Sequence, residues 1–503
     1  MLMRPLKMTE WEIFRTRASR VKHLRLIDSS RPVDISTIHT LCHPPTTSPL
    51  FPNLRSIFWN DDRPETFSFI RMLSGPTVTS IIIDTPENLN TWQTTELGIM
   101  TSLPYICPNV THVSLPSHAY ADGISCFSEA LCAWGKLTEI SCRGIDATAL
   151  VHLAGQPTLR KLSFVLPYSR AWLDSLPSGS FFSVRDFEIH TANLSFLVEF
   201  INKLEGPPTS LRMQVETNPP LGVVNSFLTT LGRFSTAQLQ DLSLRLMTRS
   251  RPGPPIAQYA APPLPPALPP HPYYPHHYHP YYSHPLHSIP PPAVNGSSSL
   301  AGGSQYAPSS TPALTLCDFA PLTFFENLGR IDINVDHAIY LNDDDLESLA
   351  SSWPHLHYLS LNDVSGWRVK SGITHIGLLA MLECCPSLQT LCIALNTDSF
   401  KEVPADRPGE GIENTSLQIL GLADSTIESS ETVAVAAFLS DIFPNLTDIT
   451  AWASVELRQR SNSSAVYGER WTHVCEMVKG INQVRQQERR WQQLDSDEGE
   501  GES

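Results

Sequence analysis

The sequence predicts an α/β solenoid, with short parallel strands on a concave face and helices on a convex one, and three features predict it. A unit typified by Cys385-Pro386-Ser387-Leu388-Gln389-Thr390-Leu391-Cys392-Ile393 recurs along the chain: a proline-led turn, then apolar positions three and two apart. Its first apolar residue aligns at Val21, Leu54, Val78, Val110, Leu137, Leu159, Val184, Leu211, Leu239, Leu328, Leu356, Leu388, Leu417 and Leu446, which makes fourteen candidate units. Segments with apolar residues at helical spacing separate the units, so strand and helix alternate.

Successive anchors stand 22 to 33 residues apart on either side of one longer gap, the spacing of leucine-rich repeats with a full helix. One such unit cannot bury its apolar face alone. Stacking sets strand beside strand as a parallel sheet and helix beside helix outside, which buries a continuous core. The helices are wider than the strands, so the expected shape is a horseshoe or arc.

In chain order, Thr9 and Glu12 read as the cap of a helix over 9–21, with Trp11, Phe14, Ala18 and Val21 on one face. The first strand, Val21 to Leu26, comes directly after it. Later helical segments are predicted at Phe127 to Trp134, Leu194 to Leu204, Val223 to Phe234, Leu346 to Trp353, Ile376 to Leu382 and Val433 to Phe443. The first repeat block covers 1–248 and the second 314–465. Residues 466–494 read as a capping helix with the stripe Trp471, Val474, Val478, Ile481 and Val484. The acidic end, 495–503, reads as a disordered tail.

The gap from Leu239 to Leu328 is 89 residues, and the 65 residues of 249–313 account for the excess, since 89 less 65 leaves one ordinary interval of 24. This segment holds 18 of the 43 prolines, seven tyrosines and six histidines between His271 and His287. Such composition favours extended, solvated chain, so a disordered insertion within one solenoid is expected. The alternative is two shorter solenoids joined by a linker.

Composition narrows the function classes. The 503 residues carry a net charge of −15, which weighs against nucleic acid as the main ligand. No apolar run reaches the length of a membrane span and the N-terminus has no signal-peptide pattern, so a cytoplasmic or nuclear protein is expected. Ten cysteines without a CxxC pair, several at repeat positions such as Cys107, Cys142, Cys385 and Cys392, read as buried reduced thiols. No phosphate-binding, acyl-transfer or zinc-protease motif is present, so no enzyme, cofactor or metal is expected. The histidine cluster His271, His276, His277, His279, His284 and His287 reads as low-complexity chain sooner than a metal site. Asp343, Asp344 and Asp345 read as negative charge at a helix N-terminus.

The informative side chains are those between the inward positions of each strand, which point out of the concave sheet. They are His23, Arg25, Phe58, His112, Arg143, Lys161, Asp186, Glu188, Arg245, Arg330, Asp332, Tyr358 and Trp452. Exposed aromatics and arginines are the usual anchors of binding surfaces. On the typical unit itself, Thr390, Cys392 and Ala394 occupy these positions.

Several stretches resemble the divergent leucine-rich-repeat proteins of basidiomycete fungi that are grouped as F-box domain-containing proteins. They are Trp11-Glu12-Ile13-Phe14 leading through Arg20-Val21-Lys22-His23-Leu24-Arg25-Leu26, then Phe51-Pro52-Asn53-Leu54-Arg55-Ser56-Ile57, Cys107-Pro108-Asn109-Val110, Cys385-Pro386-Ser387-Leu388 and Phe443-Pro444-Asn445-Leu446. The resemblance implies a substrate-recognition part of a cullin-based ubiquitin ligase, with an F-box docking the ligase adaptor and the repeats holding a protein substrate. The eight residues before Thr9 leave no room for that box, so the expectation is either a start missing from the gene or a repeat protein without ligase docking. A scaffold that bridges partners through the repeats and the proline-rich segment is the alternative.

Overall fold

The computed structural model describes residues 4, 6–27, 34–41, 43–45, 49–61, 63–84, 94–116, 121–167, 170–234, 238–247, 312–402 and 408–499. The expected insertion, with its histidine and tyrosine cluster, lies outside the described residues except for its last two positions. The strands are β1 (His23–Ile27), β2 (Ser56–Asn60), β3 (Ser80–Ile83), β4 (His112–Leu115), β5 (Glu139–Cys142), β6 (Lys161–Val165), β7 (Asp186–Thr191), β8 (Ser210–Val215) and β9 (Asp241–Leu246). They continue with β10 (Ala313–Leu314), β11 (Arg330–Asn334), β12 (Ala338–Ile339), β13 (Tyr358–Leu361), β14 (Thr390–Cys392), β15 (Ile419–Gly421) and β16 (Asp448–Thr450).

Fourteen of these strands form one parallel sheet in chain order, and only β10 and β12 stand apart as a two-stranded ribbon. The fold is a leucine-rich-repeat solenoid. Strand β9 pairs directly with β11, setting Asp241 beside Arg330 and Leu244 beside Ile333, so the two repeat blocks share one sheet. Between strands, helices cover one face of the sheet. Those at Ala121–Ala133, Leu194–Ile201, Leu221–Leu231, Asp343–Ala350, His375–Cys384 and Thr432–Ile442 fall where the apolar spacing predicts them.

The strand pattern follows from alternation, because successive side chains point to opposite faces. The inward residues Ile57, Ile81, Leu162, Leu242, Leu359, Leu391 and Leu420 are buried at 2% exposure or less and form one contiguous core with the helix stripes. Burying such a side chain contributes about 1.5–3 kcal/mol relative to leaving it exposed.

The turns between helix and strand are stitched by side chains. Asn53, Asn109 and Asn445 of the Pro-Asn turns donate through Nδ2 to the backbone carbonyls of Ser19, Pro76 and Thr415 in the preceding unit, at 2.7, 2.9 and 2.9 Å. Trp134 and Trp353 donate their buried indole N–H to the carbonyls of Cys107 and Leu322. Cys385 is fully buried beside the carbonyl of Trp353, and burial pushes its thiol up to about 12. The proline-led turn is therefore a hydrogen-bonded hinge between units as well as a break in the chain.

Three details depart from the sequence reading. The first helix is Met8–Ala18, ending one turn earlier than expected, and the Glu10 carboxylate, not a Thr9–Glu12 pair, accepts the backbone N–H of Lys7 at 2.8 Å. The register sets Ser210 beside Asp186 and Asp241, so the anchor of β8 is the buried Pro208 and not Leu211, which pairs with Phe187 and Leu242 inside the ladder. A proline in the anchor place hides that unit from an alignment on Leu and Val. The C-terminal helix is Ser464–Gly499, and it buries Trp471, Val474 and Val478 against the last repeat, while Val484 is 53% exposed.

Candidate functional site

Outward positions of neighbouring strands line up as rows across the sheet. The first row runs His23, Ser56, Ser80, His112, Glu139, Lys161, Asp186, Ser210, Asp241, Arg330, Tyr358, Thr390, Ile419 and Asp448. The second row carries small residues over much of its length, among them Ser114, Ser141, Ser163, Ser243, Ser360 and Gly421. Its large members are Arg25, Phe58, Ile82, Glu188, Arg212 and Asp332. Charge is densest from β8 to β13.

There the side chains form a single network. Arg212 Nε donates to Asp241 Oδ2 at 2.9 Å. Arg245 Nε donates to Asp332 Oδ2 at 2.7 Å and its Nη2 lies 3.5 Å from Asp363 Oδ2. Arg330 Nη2 donates to the same Asp332 oxygen at 3.1 Å, and its guanidinium carbon sits 3.5 Å from the centroid of the Tyr358 ring. Asp332 is 1% exposed, so the two arginines and Ser243 close over it. A carboxylate that deep is tolerable only because it is paired, and removing its partners is far costlier than the pair is stabilising.

The electrostatics follow. Burial works against the Arg245 charge, but the Asp332 hydrogen bond and the Asp332 and Asp363 charges outweigh it and raise its pKa. The Asp363 carboxyl is pushed up, first by burial and also by Asp332, against the opposing pull of Arg245. Burial and Asp332 raise the Tyr358 hydroxyl. The Asp241 hydrogen bond holds Arg212 above its ordinary value, with Glu188 and Asp186 adding to it.

Of the residues singled out by sequence, Arg245, Arg330 and Tyr358 come together here, and Asp332 supports them from below. The others, except Trp452, lie toward the N-terminal end. Glu188 on β7 is lowered chiefly by its hydrogen bond to His190. His112 Nδ1 stands 3.2 Å from Glu139 Oε2 on the next strand. Phe58 carries the Arg25 guanidinium 4.7 Å above its ring. Asp186 is half-buried, and Arg143 and Lys161 are exposed.

Trp452 is a correction: it is buried at 8% exposure, not presented on the outward face of the sheet. Strand β16 ends at Thr450 and Trp452 has a φ of 55°, so strand alternation no longer applies to it. Its indole donates to the Ser425 carbonyl at 2.9 Å and stacks on Tyr467. Cys392 and Ala394 are buried as well, so the β14 unit offers little besides Thr390.

The sequence reading missed Arg212, Asp241 and Asp363. Arg212 was hidden by the Pro208 anchor, since counting from Leu211 puts Met213 and Val215 in the outward places. Asp241 stands two residues after its anchor, like every other first-row member. Asp363 lies just past β13 in a loop, and no spacing signals it.

The three-aspartate run serves helix ends. The Asp345 carboxylate accepts the Asn342 N–H at 3.0 Å and the Asn342 side-chain oxygen accepts the Asp345 N–H at 2.8 Å, while Asp343 accepts the N–H and hydroxyl of Thr374 at 2.7 and 2.6 Å and so holds the residue that caps the next helix. Among the described residues no group of three or more His, Cys, Asp or Glu side chains could hold a metal ion, and no helix is long and apolar enough to cross a membrane.

No protein-family model and no curated protein sequence matches the chain. Among solved structures, an internalin (inlF) from Listeria monocytogenes is similar over 80% of this chain and 94% of its own, at 10% sequence identity and a TM-score of 0.35.

Proposed function

We propose that this chain is a non-enzymatic protein-binding repeat protein whose partner docks on the outward face of β8 to β13. The observation that carries the reading is the fixed Arg245, Arg330, Tyr358 and Asp332 cluster. It presents two arginines oriented by the buried carboxylate and the aromatic ring under one of them, the residue types that dominate binding energy. Pre-set side chains lose little rotamer freedom on binding.

The partner it suits is a protein surface with acidic and apolar groups, the former for the guanidiniums and the latter for the Tyr358 ring. Affinity capture with the full chain and with the double variant Arg330→Ala, Tyr358→Ala tests this. The wild type should retain a specific set of proteins that the variant loses while its circular-dichroism spectrum stays that of the folded repeat protein. Retention of the same set by the variant sinks the reading.

The finer reading, substrate recognition within a cullin-based ubiquitin ligase, is supported by the resemblance of residues 11–26 and the Pro-led turns to F-box-associated repeat proteins. Its test is separate: recovery of a cullin or its adaptor in the same capture supports ligase membership, and capture of other partners without either speaks for a ligase-independent scaffold.

A further inference from the structure

We propose that the outer edge of β1 receives an extended acidic peptide from a partner, added to the sheet as a further strand. This site is independent of the β8 to β13 face, from which six strands separate it. Among the described residues strand β1 ends the sheet and pairs only with β2, so in a parallel ladder every second peptide group of its five residues points outward. Among the described residues no strand pairs with that edge. The opposite end of the sheet differs, because the helix Ser464–Gly499 packs against β16 and buries Trp471, Val474 and Val478 there.

Side-chain burial marks the same asymmetry. Leu24 and Leu26 are half-buried, whereas their ladder partners Ile57 and Trp59 are completely buried. An added strand would cover both leucines with its own inward side chains. An edge that the described residues leave unpaired is the usual template for strand addition.

Charge specifies the occupant. Arg17, Arg20, Lys22 and Arg25 are exposed and have no carboxylate partner among the described residues, and no Asp or Glu occurs between Ile13 and Ile27 in a chain of net charge −15. Arg25 is held over the Phe58 ring at 4.7 Å, on the outward row beside the edge. A strand alternating acidic and apolar residues meets both needs, its acids facing Arg25 and its apolar residues facing Leu24 and Leu26. A second copy of β1 does not, since antiparallel pairing about the strand centre sets Arg25 against Arg25. A phosphate backbone does not either, because the edge alternates N–H donors with carbonyl acceptors and phosphates only accept.

The test uses fluorescence anisotropy of a labelled (Glu-Val)5 peptide on the full chain near physiological salt. Saturable binding is expected, with (Lys-Val)5 not binding and the Arg25→Glu and Lys22→Glu variants weakened by about tenfold or more while both stay folded by circular dichroism. A (Glu-Val)5 peptide N-methylated at alternate residues keeps its charge but cannot extend the ladder, and it should fail to bind. The proposal is overturned if (Glu-Val)5 does not bind, if the N-methylated peptide or a single-stranded oligonucleotide binds as tightly, or if Arg25→Glu has no effect. Sedimentation showing a stable dimer that Arg25→Glu dissociates would give the edge to a second copy and overturn it too.

Discussion

The guanidinium of Arg330 on β11 lies 3.5 Å from the ring centroid of Tyr358, its ladder neighbour on β13, and donates at 3.1 Å to the buried carboxylate of Asp332 on its own strand. One arginine is thereby fixed from two directions, by a ring face and by an ion pair. Replacing Tyr358 by Leu keeps apolar cover but removes the ring face. Urea unfolding should show a loss of about 0.5–2 kcal/mol, the range of a cation–π contact, and the same substitution in an Arg330→Met background should cost measurably less.

Asp332 is the element on which Arg245 and Arg330 converge. Its replacement by Ala leaves two half-exposed guanidiniums without their shared acceptor, and a loss of ~1.5–3 kcal/mol is expected by chemical denaturation. Asp332→Asn keeps the shape and one acceptor oxygen and should cost less than Asp332→Ala. Equal losses in the two variants would mean that packing alone, and not the ion pair, holds the cluster.

Asp363 disfavours the folded state when it is charged. Its carboxyl is raised in the folded protein, first by burial. The native state therefore holds a proton that the unfolded chain releases, and its contribution to stability falls as pH rises from the ordinary carboxylate range through the raised value. Asp363→Asn should raise the melting temperature at neutral pH, and the gain should shrink on acidification below that window. A gain that is constant with pH contradicts the assignment.

At β15 the constraint is steric. A Cβ on Gly421 would stand 2.5 Å from Cys392 Sγ and 3.0 Å from its Cβ on the neighbouring strand. Gly421→Ala should destabilise by about 1–3 kcal/mol, and adding Cys392→Ala should recover part of that loss because the sulfur is the nearest atom. No recovery in the double variant would place the clash elsewhere.

Thiol chemistry separates two classes of cysteine. Cys317 is exposed, while Cys142 and Cys385 are buried with their thiols pushed up to about 12. A disulfide reagent at pH 8 should modify Cys317 within minutes in the native protein, and Cys142 and Cys385 only with a denaturant. Peptide mapping by mass spectrometry reads the order, and early labelling of Cys385 would refute the buried assignment.

The repeat was legible because it rests on side-chain spacing: inward residues such as Leu391, Leu359 and Leu162 obey the alternation that the pleat imposes. Thirteen of the fourteen anchors stand two residues before the first strand residue in the structure. The exception, at Pro208, shows that the register is set by hydrogen bonding between strands and not by residue type at the anchor. The site was legible only in outline. Arg330 and Tyr358 are visible as outward residues, but Asp363 arrives from a loop. Trp452 looks outward by its spacing although the chain has already left the sheet. Burial of Asp332 depends on two arginines, one on its own strand and the other on its neighbour, which no local pattern encodes.

The direct pairing of β9 with β11 is reinforced beyond the sheet. Asn218 and Asp336, 118 residues apart, exchange reciprocal hydrogen bonds at 3.2 and 3.1 Å, and His337 bonds the Pro219 carbonyl at 2.5 Å. These contacts, with the ladder itself, join the repeats before residue 248 to the repeats after residue 311 without using the covalent link between them. Two separately made polypeptides, cut within that segment, should therefore recognise each other through the flanks of β9 and β11. Their reassociation would then couple a signal to the presence of both halves.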